Sequence, residues 1–183
     1  MTCVVAVDEL TRAYRAAARG EFRNGGQRSR RSASPTNEWP APAEQAMAVV
    51  GCMGGAGAST FALGIASAAE DARVVECCSV AASGLAGASS AELGVSPDGW
   101  VQGSRRSVLV ERRGERIASP AHCPAPTAST KALTVLDCGW DVDLLVGDDG
   151  WLGAAIRELP AVVLVTRPTV PGMGRLEAAV GLL

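Results

Sequence analysis

The stretch Val49-Val50-Gly51-Cys52-Met53-Gly54-Gly55-Ala56-Gly57-Ala58-Ser59-Thr60 leaves few folds open to the chain that contains it. An apolar run, Ala46 to Val50, enters a glycine-rich turn, and a hydroxyl pair opens a helix-prone segment from Phe61 to Glu70. The order is strand, loop, helix. Glycines let the backbone curl so that several N–H groups converge on an anion, and the helix N-terminus adds the positive end of its dipole. The full phosphate-loop pattern carries a lysine just before Ser/Thr, and here that position is Ala58. The loop suits a phosphate group but has lost the cation that would hold it.

The rest of the chain repeats the alternation. Arg73–Cys77, Leu133–Asp137 and Ala161–Thr166 are continuous apolar runs that, with Ala46–Gly51, predict four buried strands. Trp151–Leu159 and Gly174–Leu183 predict helices. Strands alternating with helices argue for an α/β fold, a mostly parallel sheet covered by helices on both faces. The small-residue stretch from Ser83 to Gly94 predicts a short helix at Ser89–Leu93, and Ala121–Thr130 a Pro/Thr/Ser loop. Ser107–Glu111 and Glu115–Ser119 flank Arg112-Arg113-Gly114, which predicts a hairpin or bent strand there. At 183 residues the chain is long enough for one domain with a real core.

Ahead of the first strand the composition changes. Asp8–Arg19 reads as a short helix that Gly20 stops, and residues 21–43 are rich in Gly, Ser, Asn, Pro and Arg with almost no apolar content. Such a segment cannot bury enough surface to order itself. The chain therefore divides into an N-terminal helix (1–20), a flexible basic linker (21–45) and an α/β domain (46–183). Net charge is −2, so the protein as a whole has no attraction for nucleic acid or anionic lipid. Arg19, Arg23, Arg28, Arg30 and Arg31 nevertheless form a local basic run, readable as a solvated tail or as a weak arm for nucleic acid or lipid. The single lysine, Lys131, among 17 Lys and Arg residues marks a GC-rich genome rather than a function.

No segment reaches the ~18 uninterrupted apolar residues of a membrane span, and Met1–Val7 lacks the charged start of a signal peptide. The six cysteines, Cys3, Cys52, Cys77, Cys78, Cys123 and Cys138, show no C-x-x-C spacing. Cys52, Cys77 and Cys138 fall in or beside predicted core strands, as buried thiols of a cytoplasmic protein would. His122-Cys123 sits among prolines with no third ligand at useful spacing, so it makes a poor metal site.

Asp137 is the second carrier of chemistry. A hydrophobic strand closed by Asp can hold a carboxylate near magnesium, usually through water. It can equally cap the Cys138-Gly139 turn. With its flanks, the loop resembles the deviant phosphate-loop ATPases of the ParA/MinD family, whose pattern after a buried strand is Lys-Gly-Gly-x-Gly-Lys-Ser/Thr-Thr. Gly54, Gly55, Gly57, Ser59 and Thr60 match it; Met53 and Ala58 stand at both lysines, and Cys52 at the opening glycine. The Gly-Gly-Ala-Gly-Ala-Ser run is most similar to an atypical branch that includes septum-site-determining and pilus-localising proteins of actinobacteria. The resemblance spans roughly residues 46 to 183.

That resemblance implies ATP or ADP bound with magnesium. Gly54, Gly55, Ala56, Gly57, Ala58, Ser59 and Thr60 would hold the phosphates, and Ser59 and Asp137 would face the metal. It also implies losses. The family's second strand ends Asp-x-Asp, where this chain has Glu76-Cys77-Cys78. Met53 removes a lysine that reaches the partner's nucleotide in the dimer, and Ala58 the one on the β- and γ-phosphates. The chain is C-terminally short by the family's measure, stopping before the units that hold the adenine. The expectation is a pseudo-ATPase acting through a protein partner or homodimer in septum placement, partition, or secretion and pilus localisation. A slow ATPase with Arg73 or Arg167 as substitute cation is a second reading. A nucleic-acid accessory using the N-terminal arginines is a third.

Overall fold

The computed structural model describes Trp39 and residues 45–183. The expected helix at Asp8–Arg19, nearly all of the linker and the five N-terminal arginines lie outside the described residues. Seven strands and four α-helices follow in the order β1 (Gln45–Gly51), α1 (Ala58–Ala68), β2 (Ala72–Glu76), β3 (Ala91–Val95), β4 (Val101–Arg105), β5 (Val108–Arg112), β6 (Leu133–Cys138), α2 (Val142–Val146), α3 (Trp151–Glu158), β7 (Val162–Val165) and α4 (Val170–Leu182). All seven strands form one sheet in the order β3-β4-β5-β2-β6-β1-β7. From β5 to β7 every pairing is parallel, while β3 and β4 extend the sheet antiparallel. The α/β architecture with a mostly parallel sheet stands as expected, and all four expected core strands are present.

Side chains alternate across the strands, and the sheet buries both faces. Val49, Val74 and Val135 pack with Ala62 and Ala66 of α1 on one side. Ala48, Val50, Val75 and Leu136 pack with Val142 and Leu145 of α2, Leu152 and Ile156 of α3 and Ala179 of α4 on the other. Trp39 joins that second core edge-to-face with Trp151, ring centroids 5.7 Å apart. A sheet clad on both sides needs continuous rather than alternating hydrophobicity in its central strands, which is why those strands were legible.

Two expectations fail between β2 and β6. The expected helix at Ser89–Leu93 is instead the edge strand β3, with only a 3₁₀ turn at Leu85–Gly87 before it. Every residue of β3 is exposed, so no apolar pattern announces it; pairing with β4 makes it a strand. The expected hairpin around Arg112–Gly114 lies one turn earlier, where Arg106-Ser107 joins β4 to β5 and Arg106 takes a left-handed φ of 55°. Glu115–Ser119 forms no strand. Val101–Arg105 holds its place because its backbone pairs on both sides, with β3 and with β5. Along β3 the register shifts between Glu92 and Gly94, and Gly94 has φ 109°. The short α2 was also missed.

One charge pair is built into the sheet. Arg73 of β2, with its side chain 1% exposed, pairs with Glu111 of β5 at 3.0 Å and donates through Nε to Thr134 of β6 at 2.7 Å. Glu111 also accepts from Gln102 of β4 at 2.9 Å. Cys52, Cys77, Cys78, Cys123 and Cys138 are buried free thiols. Among the described residues no helix is long and apolar enough to cross a membrane.

Candidate functional site

Parallel strands all deliver their C-terminal ends to one rim of the sheet, and β1 lies between β6 and β7. The glycine loop leaves β1 at that rim. Cys52 N–H continues the ladder to Val165 O at 2.8 Å; the chain then turns over Met53–Ala56, closed by Ala56 N–H to Met53 O at 3.2 Å. Gly55 (φ 67°) and Gly57 (φ 94°) adopt left-handed conformations that other residues resist. Gly57 is the N-cap of α1, and no side chain caps the helix. The first bond inside α1 runs from Phe61 N–H to Gly57 O at 2.9 Å. The amides of Ala58, Ser59 and Thr60 precede it, and a helix makes no internal use of such first-turn donors.

A cavity of about 500 Å³ opens over this loop, bounded by residues 51 and 53–60, the segment around Ala81–Gly84, and Asp137, Gly139, Trp140 and Asp141. The structure brings Ser59 and Asp137 together. The carboxylate of Asp137, 1% exposed, accepts from the Ser59 hydroxyl and from Ser83 Oγ at 3.4 Å. Burial pushes its pKa up to about 6, the neighbouring Glu76 adds to the rise, and the two hydroxyls oppose it. Glu76 stands directly across the β2–β6 pairing from Asp137. It is buried, which raises its pKa too, against the lowering influence of nearby Ser83 and of the Arg113 amide, which donates to it at 3.2 Å; its Oε1 has no partner. Cys78, where the family pattern has its second acid, is held far above the ordinary thiol range by burial and by the charges of Asp137 and Glu76.

The cavity is thus polarised in an unusual sense. Its backbone donors favour an anion, whereas its ionisable side chains, Asp137 and Asp141, are acidic, and among the described residues no Lys, Arg or His lines it. A hydroxyl and a carboxylate beside an uncapped helix N-terminus fit the phosphate-and-magnesium arrangement. No group of three or more His, Cys, Asp or Glu that could hold a metal unaided occurs among the described residues. Phosphate oxygens and water would therefore have to complete any magnesium shell, which is how that ion is usually bound.

The two arginines named as substitute cations separate cleanly. Arg73 pairs with Thr134, three residues before Asp137 and toward the opposite end of the strands, and is held by Glu111, so it does not serve the loop. Arg167 does reach it. Nε and Nη2 both donate to Gly55 O, at 2.9 and 2.7 Å. Reasoning from sequence missed Ser83, which lies in a small-residue stretch without pattern. It also missed Trp140, which lines the cavity and donates through Nε1 to Cys77 O at 2.6 Å. His122 hydrogen-bonds Ser119 and Cys123 is buried, and among the described residues neither belongs to a group that could hold a metal.

No protein-family model matches the chain, and no curated protein or solved structure matches it.

Proposed function

We propose that this chain is a degenerate phosphate-loop protein of the ParA/MinD type, binding ATP or ADP with magnesium and acting in the cytoplasm as a positioning or regulatory partner. One observation carries the reading. An uncapped helix N-terminus behind two left-handed glycines lies beside a strand-end carboxylate that the loop's own Ser59 touches. Backbone donors do not depend on side-chain identity, so such a cradle outlives the loss of its lysines. Magnesium, when bound, would neutralise phosphate charge that Ala58 and Met53 leave uncompensated.

Hydrolysis is expected to be negligible. Phosphoryl transfer rests on positioning and on neutralising developing charge. Here both lysine positions are apolar, and the second acid of the strand end is Cys78. The test is calorimetric titration with ATP and ADP, with and without magnesium, followed by a turnover assay. Magnesium-dependent binding is expected in the wild type and lost in Ser59→Ala. Ala58→Lys alone should leave turnover at background, because catalytic groups that act as a unit do not add. Turnover at the rate of ordinary family members would favour a working ATPase instead, and an absence of binding would remove the nucleotide.

A protein partner or homodimer suits the exposed apolar side chains of α4, among them Val170, Met173 and Val180. Gel filtration with light scattering is expected to give a discrete dimer or a co-purified complex; a clean monomer that binds no hydrophobic dye argues against it. Septum placement, partition and secretion or pilus localisation are the processes such a partner would serve.

A further inference from the structure

Resting on the nucleotide-binding reading and extending it, we propose that Arg167 is the positioning residue of the phosphate loop, gripping the outer carbonyl of Gly55 so that the inner amides stay aimed at the ligand. Two donors of one guanidinium converge on Gly55 O, at 2.9 Å from Nε and 2.7 Å from Nη2. Gly55 is the third residue of the Met53–Ala56 turn, and its φ of 67° is what a type II turn demands there. The carbonyl of Gly55 and the N–H of Ala56 belong to the same peptide and point in opposite directions. A cation on that oxygen therefore polarises the N–H that closes the turn on Met53 O at 3.2 Å. The turn ends where Gly57 begins α1.

Arg167 works from outside. It is not among the residues that line the cavity, so its contact is with the loop rather than with what the loop holds. Its carbonyl accepts from Thr169 N–H at 2.8 Å, and two residues earlier Cys52 N–H holds the strand end at Val165. A Cβ at residue 55 would lie 2.5 Å from Arg167 Nη2, so a side chain there would push the guanidinium off this carbonyl. A loop with Met53 and Ala58 at its lysine positions depends on the order of its amides. Arg167 supplies that order from the end of β7.

The test uses the whole chain carrying Arg167→Ala or Arg167→Lys. Amide exchange at Ala56 and the affinity for ATP with magnesium at several salt concentrations are measured in each. In the Ala variant, exchange at Ala56 should rise and affinity fall, each by about tenfold, the scale of one charge-assisted hydrogen bond. The dependence of affinity on salt should stay as in the wild type, because the guanidinium does not touch phosphate. Lysine, with charge but no fork, should restore part of both losses. Unchanged exchange at Ala56 overturns the role of Arg167, as does raised exchange with unchanged affinity. A flattened salt dependence overturns it too, by making Arg167 a direct ligand contact. A wild type that binds no nucleotide overturns the functional reading instead, and with it the ligand half of this proposal.

Discussion

Asp137→Asn is expected to melt at a higher temperature than the wild type at pH 7.5 and at nearly the same temperature at about pH 3. The carboxyl of Asp137 has a pKa near 6 in the folded protein against an ordinary 3.8, chiefly through burial. The folded state thus holds a proton that the unfolded state releases. Stability falls as pH rises from about 4 to about 6, and the full penalty applies above that range. The gap in pKa corresponds to about 3 kcal/mol, which sets a ceiling on the gain from an uncharged isostere. Asn keeps the shape and still accepts from Ser59. Other carboxylates oppose the trend, Asp71 for example having its pKa lowered by Lys131, so the informative quantity is the difference between variant and wild type at each pH. Equal melting temperatures at pH 7.5 would show that the carboxylate carries no burial penalty. The same variant should lose magnesium-dependent nucleotide binding, in which case the instability at this rim belongs to the site rather than to the fold.

The larger loss is expected at the other end of the sheet. Removing Glu111 strips the carboxylate from a guanidinium whose side chain is 1% exposed and takes the acceptor from Gln102 as well. Losing one partner of a buried ion pair costs up to about 3–5 kcal/mol, and the guanidinium keeps its hydrogen bond to Thr134 after this carboxylate is gone. Glu111→Ala should therefore lower the urea midpoint severely, and Glu111→Gln less so, since it retains an acceptor. An apolar pair of similar volume, Arg73→Met with Glu111→Leu, should recover most of the loss. A Glu111→Ala variant within about 1 kcal/mol of wild type would mean that the Arg73 charge is held by its other contacts or by water rather than by Glu111. The pair spans the parallel pairing of β2 with β5, one strand before the antiparallel extension starts at β4, and it gives those strands a fixed register.

Legibility followed burial. Val49, Val74 and Val135 lie in strands covered on both faces, and such strands announce themselves by unbroken apolar runs whatever surrounds them. β3 has no buried residue and exists because β4 offers it a backbone ladder, a contact that no local window contains. The site divides along the same line. Glycines and hydroxyls of the loop, and an acid at the end of an apolar run, carry a pattern in their spacing. The meeting of Ser83 with Asp137 depends on a segment of small residues with no period at all. Arg167 was named for its charge, yet 112 positions separate it from the carbonyl it holds. Its task, gripping a peptide oxygen rather than a phosphate, follows only from where β7 lies.

The irregularity at Gly94 has a consequence for the protein in a crowded solution. A straight outer strand with exposed Leu93 and Val95 would be a template for the strands of other molecules. The shift of register after Glu92 bends that template, and Arg112 reaches across to Glu92 at 2.6 Å, setting charge beside the bend. Amyloid-like stacking needs a flat row of donors and acceptors at even spacing. This rim offers only a broken one, so the sheet can be left ending in a wholly exposed strand without seeding a fibre there.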